Sequence, residues 1–208
     1  MTKSVQNVLF AKLKNFKCDI TKLSEHFQML AEKYDSIEYK DNDVSYVGWA
    51  VTSRDGSLYD GVRRIALKSS NPLDKVRGKD YTEICNGYLK EVMESLKDLG
   101  VDFYRARIMQ LESEGEEMAF HTDAVKESWR LHIPIITNDE SKFEWQTSSG
   151  KIESVNLPAD GSAYLVRVDV LHKAVNRSKS EVKRVHLLMG CNNKIKNTMI
   201  EPLLFNDN

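Results

Sequence analysis

Apolar residues recur along the chain at two different periods, and the change of period divides it. Over residues 20–34, Ile20, Leu23, Phe27, Leu30, Ala31 and Tyr34 fall on one helical face, with Asp19 or Thr21 placed to cap the first turn. The same spacing over 80–99 carries Ile84, Tyr88, Val92, Leu96 and Leu99. It predicts a second helix, opened by a capping box of Asp80 and Glu83 and closed by Gly100, with Gly87 a weak point inside. Between the two, residues 44–52 (VSYVGWAVT) are aromatic and β-branched and read as a strand. Asp55-Gly56 suits a hairpin turn, and 62–67 reads as the returning strand, with Arg63 and Arg64 on it.

From residue 102 onward the period is two. Alternation over 103–111 places Arg105, Arg107 and Met109 on one face and Tyr104, Ala106 and Ile108 on the other. Over 129–137 it separates Arg130, His132, Pro134 and Ile136 from Leu131, Ile133 and Ile135. Pro134 has no N–H for a ladder and so marks an edge or a bulge. Short strands over 143–146, 152–156, 162–168 and 182–189 follow, separated by the turns Ser148-Ser149-Gly150 and Pro158-Ala159-Asp160-Gly161. About eight short strands with such punctuation predict a mainly β fold, a double-sheet jelly roll with flanking helices covering one face. The expected organisation is one domain: 1–101 as helical and β support, 102–190 as the jelly-roll core, and 191–208 as a tail. The tail's apolar patch over 200–205 is placed to dock on the body or on a second subunit.

Composition narrows the partners. Lys+Arg is 30 and Asp+Glu is 31, a formal net charge of -1, so there is no electrostatic footprint for nucleic acid and no polybasic membrane patch. No apolar run approaches the roughly 20 residues that cross a bilayer. The first residues carry lysines without a signal-peptide core. Cys18, Cys85 and Cys191 have no paired spacing, and their odd number favours free thiols. The expected location is cytoplasmic.

The candidate chemistry lies in the β half. In His121-Thr122-Asp123 the imidazole and the carboxylate are two residues apart, on the same side of an extended chain, and His172 follows on a later strand. Two imidazoles and one carboxylate on one face of a metal leave open positions, the arrangement of non-haem Fe(II) oxygenases. A structural zinc site would be closed by a fourth ligand, commonly cysteine, and none is suitably placed. In the run RVHLL, Arg184 and His186 share a face opposite Val185 and Leu187. An arginine turned into a barrel needs a counter-charge, and no acid near it in sequence serves; a bound dicarboxylate would. His26 reads as a surface residue.

The segments YRARIMQLESEGEEMAFHTD, WRLHIPIITN, HKAVNRS and KRVHLLMG, spanning roughly 102–190, resemble the iron- and 2-oxoglutarate-dependent dioxygenases of the aspartyl/asparaginyl β-hydroxylase and proline hydroxylase branch. That resemblance implies a double-stranded β-helix (cupin-like) core, with Fe(II) held by His121, Asp123 and His172. It implies 2-oxoglutarate gripped at its distal carboxylate by Arg184, with Arg130 and His132 lining the same pocket. Molecular oxygen and 2-oxoglutarate would be consumed, with release of succinate and carbon dioxide, to hydroxylate an amino-acid residue or a free amino acid. The metal and cosubstrate carry that chemistry, and no protein acid or base is required. Arg107, and beside it Arg105, would form a cationic wall for the substrate. Two other readings stay open at this point. One is a cupin-like metal protein without 2-oxoglutarate chemistry; the other is a binding protein on a degenerate oxygenase scaffold.

Overall fold

A computed structural model describes residues 8–41, 44–54, 56, 83–84, 89–113, 115–123, 128–191, 195–203 and 205. The supporting region supplies β1 (Phe10–Leu13), α1 (Ile20–Lys33), β2 (Ile37–Asp41), β3 (Val44–Ala50), β4 (Thr52–Ser53), β5 (Glu83–Ile84) and α2 (Lys90–Asp98). Then follow β6 (Phe103–Leu111), β7 (Glu116–Glu117), β8 (Trp129–Ile136), β9 (Ser141–Gln146), β10 (Ile152–Val155), β11 (Tyr164–Arg167), β12 (His172–Asn176), β13 (Arg184–Cys191) and β14 (Ile200–Pro202).

One sheet has the order β14-β1-β11-β8-β13-β6-β3-β2, a second the order β10-β9-β12-β7, and β4-β5 form a small third. From β6 to β13 the chain passes back and forth between the two large sheets, staying in the second only for the β9–β10 hairpin. With every pairing antiparallel, this is the double-stranded β-helix expected from the short alternating strands.

The outer face of the larger sheet carries Leu131, Ile133, Leu165 and Leu187, none of which exposes any surface. They pack with Leu23, Phe27 and Leu30 of α1 and Met93 and Leu96 of α2 in one core. Burial of each such side chain is worth about 1.5–3 kcal/mol, so the helices and this face stabilise one another. The inner face looks across at the smaller sheet. There Phe10, Phe143, Trp145 and Tyr164 close one end of the sandwich, and Leu111 meets Ala174 at the other.

Several expectations are corrected. α1 matches its pattern, capped by the Asp19 carboxylate, which accepts from Lys22 N. The second helix is shorter than its stripe predicts. It begins at Lys90, and Glu83 and Ile84 pair with Thr52 and Ser53 in a strand, so no capping box starts there. Asp80, Gly87 and Tyr88 lie outside the described residues, whereas Gly100 closes the helix at φ 78°, a left-handed conformation that glycine adopts without strain. The hairpin partner of β3 is the preceding β2; Asp55 and 62–67, with Arg63 and Arg64, lie outside the described residues. Pro134 sits in a central strand, next to a register shift between Val185 and His186, so it marks a bulge and not an edge. The tail docks on the body: β14 pairs with β1, and the Phe205 ring lies 5.1 Å from that of Phe10.

The alternation of β6 also breaks. Leu188 pairs with Arg107 and Gly190 with Tyr104, so the single residue Met189 faces both Arg105 and Ala106. The extra residue is a β-bulge, and Arg105 takes it up in the left-handed region at φ 51°. Cross-strand partners share a face. The inner face therefore holds Tyr104 and Arg107, not the expected run of Arg105, Arg107 and Met109.

Candidate functional site

β7 is only two residues long, and the extended segment after it carries His121 and Asp123. Two backbone hydrogen bonds fix that segment to β12: His121 N donates to His172 O at 3.0 Å, and His172 N donates to His121 O at 2.9 Å. Asp123 N donates to Val168 O at 2.9 Å and sets the carboxylate beside the two rings. Ion pairs on the outer side add to the clamp. Lys173 Nζ lies 2.6 Å from Glu117 Oε2, and Arg177 bridges Glu117 and Glu144.

His121, Asp123 and His172 thus come together, with one ligand atom from each lying within 4.8 Å of the others. The His121 Nδ1–H donates to Ala119 O at 2.8 Å and the His172 Nδ1–H to Val170 O at 2.9 Å. Carbonyl oxygens only accept, so both Nδ1 atoms carry the proton and both Nε2 lone pairs are left for a metal. Burial lowers the His172 pKa, which keeps the ring in the neutral form that ligates. Burial alone would raise the pKa of Asp123; the charge and hydrogen bond of Arg130, with the two histidines, more than offset it and hold the carboxyl below its ordinary range. Arg130 Nε donates to Asp123 Oδ2 at 2.8 Å, leaving Oδ1 turned towards His121. The Phe143 ring stacks on His172, with centroids 5.3 Å apart and planes 9° from parallel.

Next to the triad, the inner face of the larger sheet is polar and buried. Its cross-strand rows run Tyr164–His132–Leu188–Arg107, Pro134–His186–Met109 and Arg184–Leu111. Arg184 is 5% exposed and has no hydrogen bond or ion pair among the described residues; its Nη2 is wholly buried without a partner. Burial pushes its pKa down to about 10, and no carboxylate offsets that loss of solvation. His132 and His186 are joined through their Nδ1 atoms at 3.3 Å. Burial, reinforced by the Arg184 charge, drives both well below the ordinary histidine range, so both rings are neutral. The His132 ring also meets Phe143 edge-on, which links the Arg184 side of the site to His172 through Phe143.

The predicted residues are therefore distributed as follows. The triad is assembled; Arg184, Arg130 and His132 are buried beside it; Arg107 is half-buried on the inner face; and Arg105 occupies the bulge. The observed partner of Arg130 is the metal-ligand carboxylate, which sequence spacing does not reveal. The pairing of His186 with His132 is likewise invisible in sequence, although its position two residues after Arg184 already places it on that face.

The donor set suits a divalent metal with open coordination positions. No family model matches the chain, and no curated protein is significantly similar to it in sequence. Solved structures are similar in fold. An oxidoreductase of the 2OG-Fe(II) oxygenase family from Burkholderia pseudomallei aligns at TM-score 0.59 and 12% identity, over 91% of each chain. A prolyl hydroxylase from Trichoplax adhaerens, solved with a peptide fragment of the hypoxia inducible factor oxygen degradation domain, aligns at TM-score 0.56 and 10% identity, over 91% of this chain and 86% of that one. HygX from Streptomyces hygroscopicus, solved with nickel and 2-oxoglutarate, aligns at TM-score 0.55 and 8% identity, over 92% and 85%. The chain has the fold of the 2OG-Fe(II) oxygenases, with a His-Asp-His cluster inside it.

Proposed function

We propose that this protein is an Fe(II)- and 2-oxoglutarate-dependent oxygenase that hydroxylates an amino-acid residue or a free amino acid. The observation that carries the reading is Arg184. A guanidinium buried between two sheets, with no acid to meet it, is costly unless a ligand supplies the anion. It lies in the same interior as a three-ligand metal cluster, and a dicarboxylate spanning the two satisfies both.

Iron and 2-oxoglutarate, when bound, supply the oxidation: oxygen is consumed, the oxo acid becomes succinate and carbon dioxide, and a C–H bond becomes C–OH. The chain's own residues orient and enclose. His121, Asp123 and His172 hold the metal, and Arg130 holds Asp123. Arg184 receives the distal carboxylate, and the ring of Phe143 shields His172. Prolyl hydroxylases among the similar structures, one of them solved with a peptide, support an amino-acid or peptide substrate. Arg107, half-buried on the inner face, is the candidate for a negative group on that substrate, with Arg105 behind it at the bulge. We read the chain as one catalytic domain, because β1, β3 and β14 extend the same sheet that carries the core strands. Unpaired Cys18 and Cys191 suit a reducing compartment such as the cytoplasm, and no helix among the described residues is long and apolar enough to cross a membrane.

Anaerobic titration with Fe(II) and 2-oxoglutarate tests the reading. The wild type is expected to show the visible charge-transfer band of the chelate and, with oxygen, to form succinate. His172→Ala is expected to lose metal binding with an unchanged circular dichroism spectrum. Arg107→Ala is expected to suppress substrate hydroxylation while slow, uncoupled succinate formation continues. A wild type that binds iron but never 2-oxoglutarate would leave only a cupin-like metal protein.

A further inference from the structure

His186 has no part in the reading above, yet it leaves the second wholly buried polar atom on the face that holds Arg184. Its Nε2 has no hydrogen-bond partner, like Arg184 Nη2. On an antiparallel strand, residues two apart project side by side. Both are buried, at 5% and 1% exposure. Two orphaned polar atoms side by side in an interior call for one shared partner, because each unsatisfied group costs about 1–3 kcal/mol.

The chemistry of that partner follows from the His132 contact. The two Nδ1 atoms, 3.3 Å apart, share one hydrogen, so one ring donates and the other accepts. If His132 donates, His186 Nδ1 is the acceptor and its proton must sit on Nε2. That N–H then points where Arg184 Nη2 points. If His186 donates, its Nε2 offers a bare lone pair, which repels an anion.

We infer that His186 Nε2–H is the second donor, with Arg184, to the distal carboxylate of the dicarboxylate cosubstrate, and that His132 selects the tautomer of His186 that donates. This rests on the proposed function above and deepens it. Both Nη2 and Nε2 are closed off in the free protein, so the carboxylate must displace side chains to reach them. A neutral N–H beside the guanidinium completes a cradle for one carboxylate without a second positive charge. His132 is thus a positioning residue, acting through His186.

The test has a readout independent of turnover. Imidazole 15N signals of the metal-free protein are followed during titration with glutarate, which has the distal carboxylate but no oxo acid. The same signals are followed in the Zn(II) protein with 2-oxoglutarate. His186 is expected to show a protonated Nε2 and a bare Nδ1 in both complexes. By calorimetry with Zn(II), His186→Phe is expected to weaken 2-oxoglutarate about tenfold or more, as for other hydrogen bonds to charged groups. His186→Gln, which keeps an N–H at similar reach, should recover part of that loss. His132→Phe should mix the His186 tautomers and weaken binding several-fold. If 2-oxoglutarate binds the wild type but His186→Phe binds it equally well, or His186 Nε2 is bare in the complex, this inference fails and the proposed function stands. If 2-oxoglutarate does not bind while glutarate moves the His186 signals, the proposed function fails and the anion cradle stands.

Discussion

Arg130 donates through Nε to Asp123 Oδ2 at 2.8 Å, so a guanidinium fixes one oxygen of the only carboxylate in the metal cluster. Such outer partners set ligand orientation, and their loss costs roughly 10–100-fold in metal affinity. Arg130→Gln is expected to fall in that range, and Arg130→Lys to recover only part of it, because a point charge cannot hold the carboxylate at the same angle. Equilibrium binding of Mn(II) measures both. Equal affinities in the wild type and Arg130→Gln would show that Asp123 is oriented by its backbone alone.

Arg184 sets stability against function. The metal-free protein carries its charge in an apolar interior with nothing to offset it among the described residues. Replacing an uncompensated buried ion by an apolar side chain of similar size is neutral or stabilising. Arg184→Met is therefore expected to keep or raise the melting temperature while weakening 2-oxoglutarate by about 2–5 kcal/mol, the usual cost of truncating a buried, hydrogen-bonded charge pair. Differential scanning fluorimetry and calorimetric titration read the two arms. A marked loss of stability would reveal a structural partner for the guanidinium.

The outer clamp on β7 makes stability depend on pH. Hydrogen bonds from Arg177 and Lys173 pull the Glu117 pKa down to about 2 from 4.5. A carboxylate with a depressed folded pKa stabilises the protein above its unfolded pKa, and the effect drains away as pH falls through the folded value. Urea midpoints should decline between about pH 4.5 and pH 2, and Glu117→Gln should flatten that part of the profile. Glu117 is largely exposed, so the effect is small and is weakened by salt.

Gly161 tests packing at the join between the supporting region and the core. It lies in the left-handed region at φ 81°, and a Cβ built there would sit 2.2 Å from Cys18 O, whose residue donates its own N–H to Gly161 O at 2.9 Å. A main-chain oxygen cannot swing aside as a side chain can. Gly161→Ala is expected to cost about 1–3 kcal/mol, with a melting point several degrees lower. An unchanged melting point would mean that the turn before β11 can shift freely.

Periodicity made most of β6–β13 legible, because each of those strands buries one regular face, and it made α1 legible for the same reason. It failed where one residue changed the count: the bulge at Arg105 moved Tyr104 onto the face expected for Arg105. It failed again at residues 83–84, where an apolar residue that fits a helical stripe was used in a two-residue strand. β1 and β2 are too short and too mixed in polarity to announce themselves, and pairing partners far along the chain decide their state. The triad could be read because a His-x-Asp step is local. The partner of Arg130 and the His132–His186 contact could not, since each is made across strands or through a turn.

The edge of the larger sheet has a kinetic consequence. β1 is hydrogen-bonded only to β11 and β14, with Phe10 opposite Val166 and Ala11 opposite Pro202. During synthesis the first strand of the sheet therefore emerges long before either neighbour exists. Phe10, Ala11 and Leu13, all destined for the interior, must wait as loose, sticky chain until nearly everything else has been made. Closing so long a loop is slow, and an apolar segment left waiting is open to capture by another molecule. Folding is thus expected to finish where translation began, which makes this edge the natural place for a chaperone to hold the nascent protein.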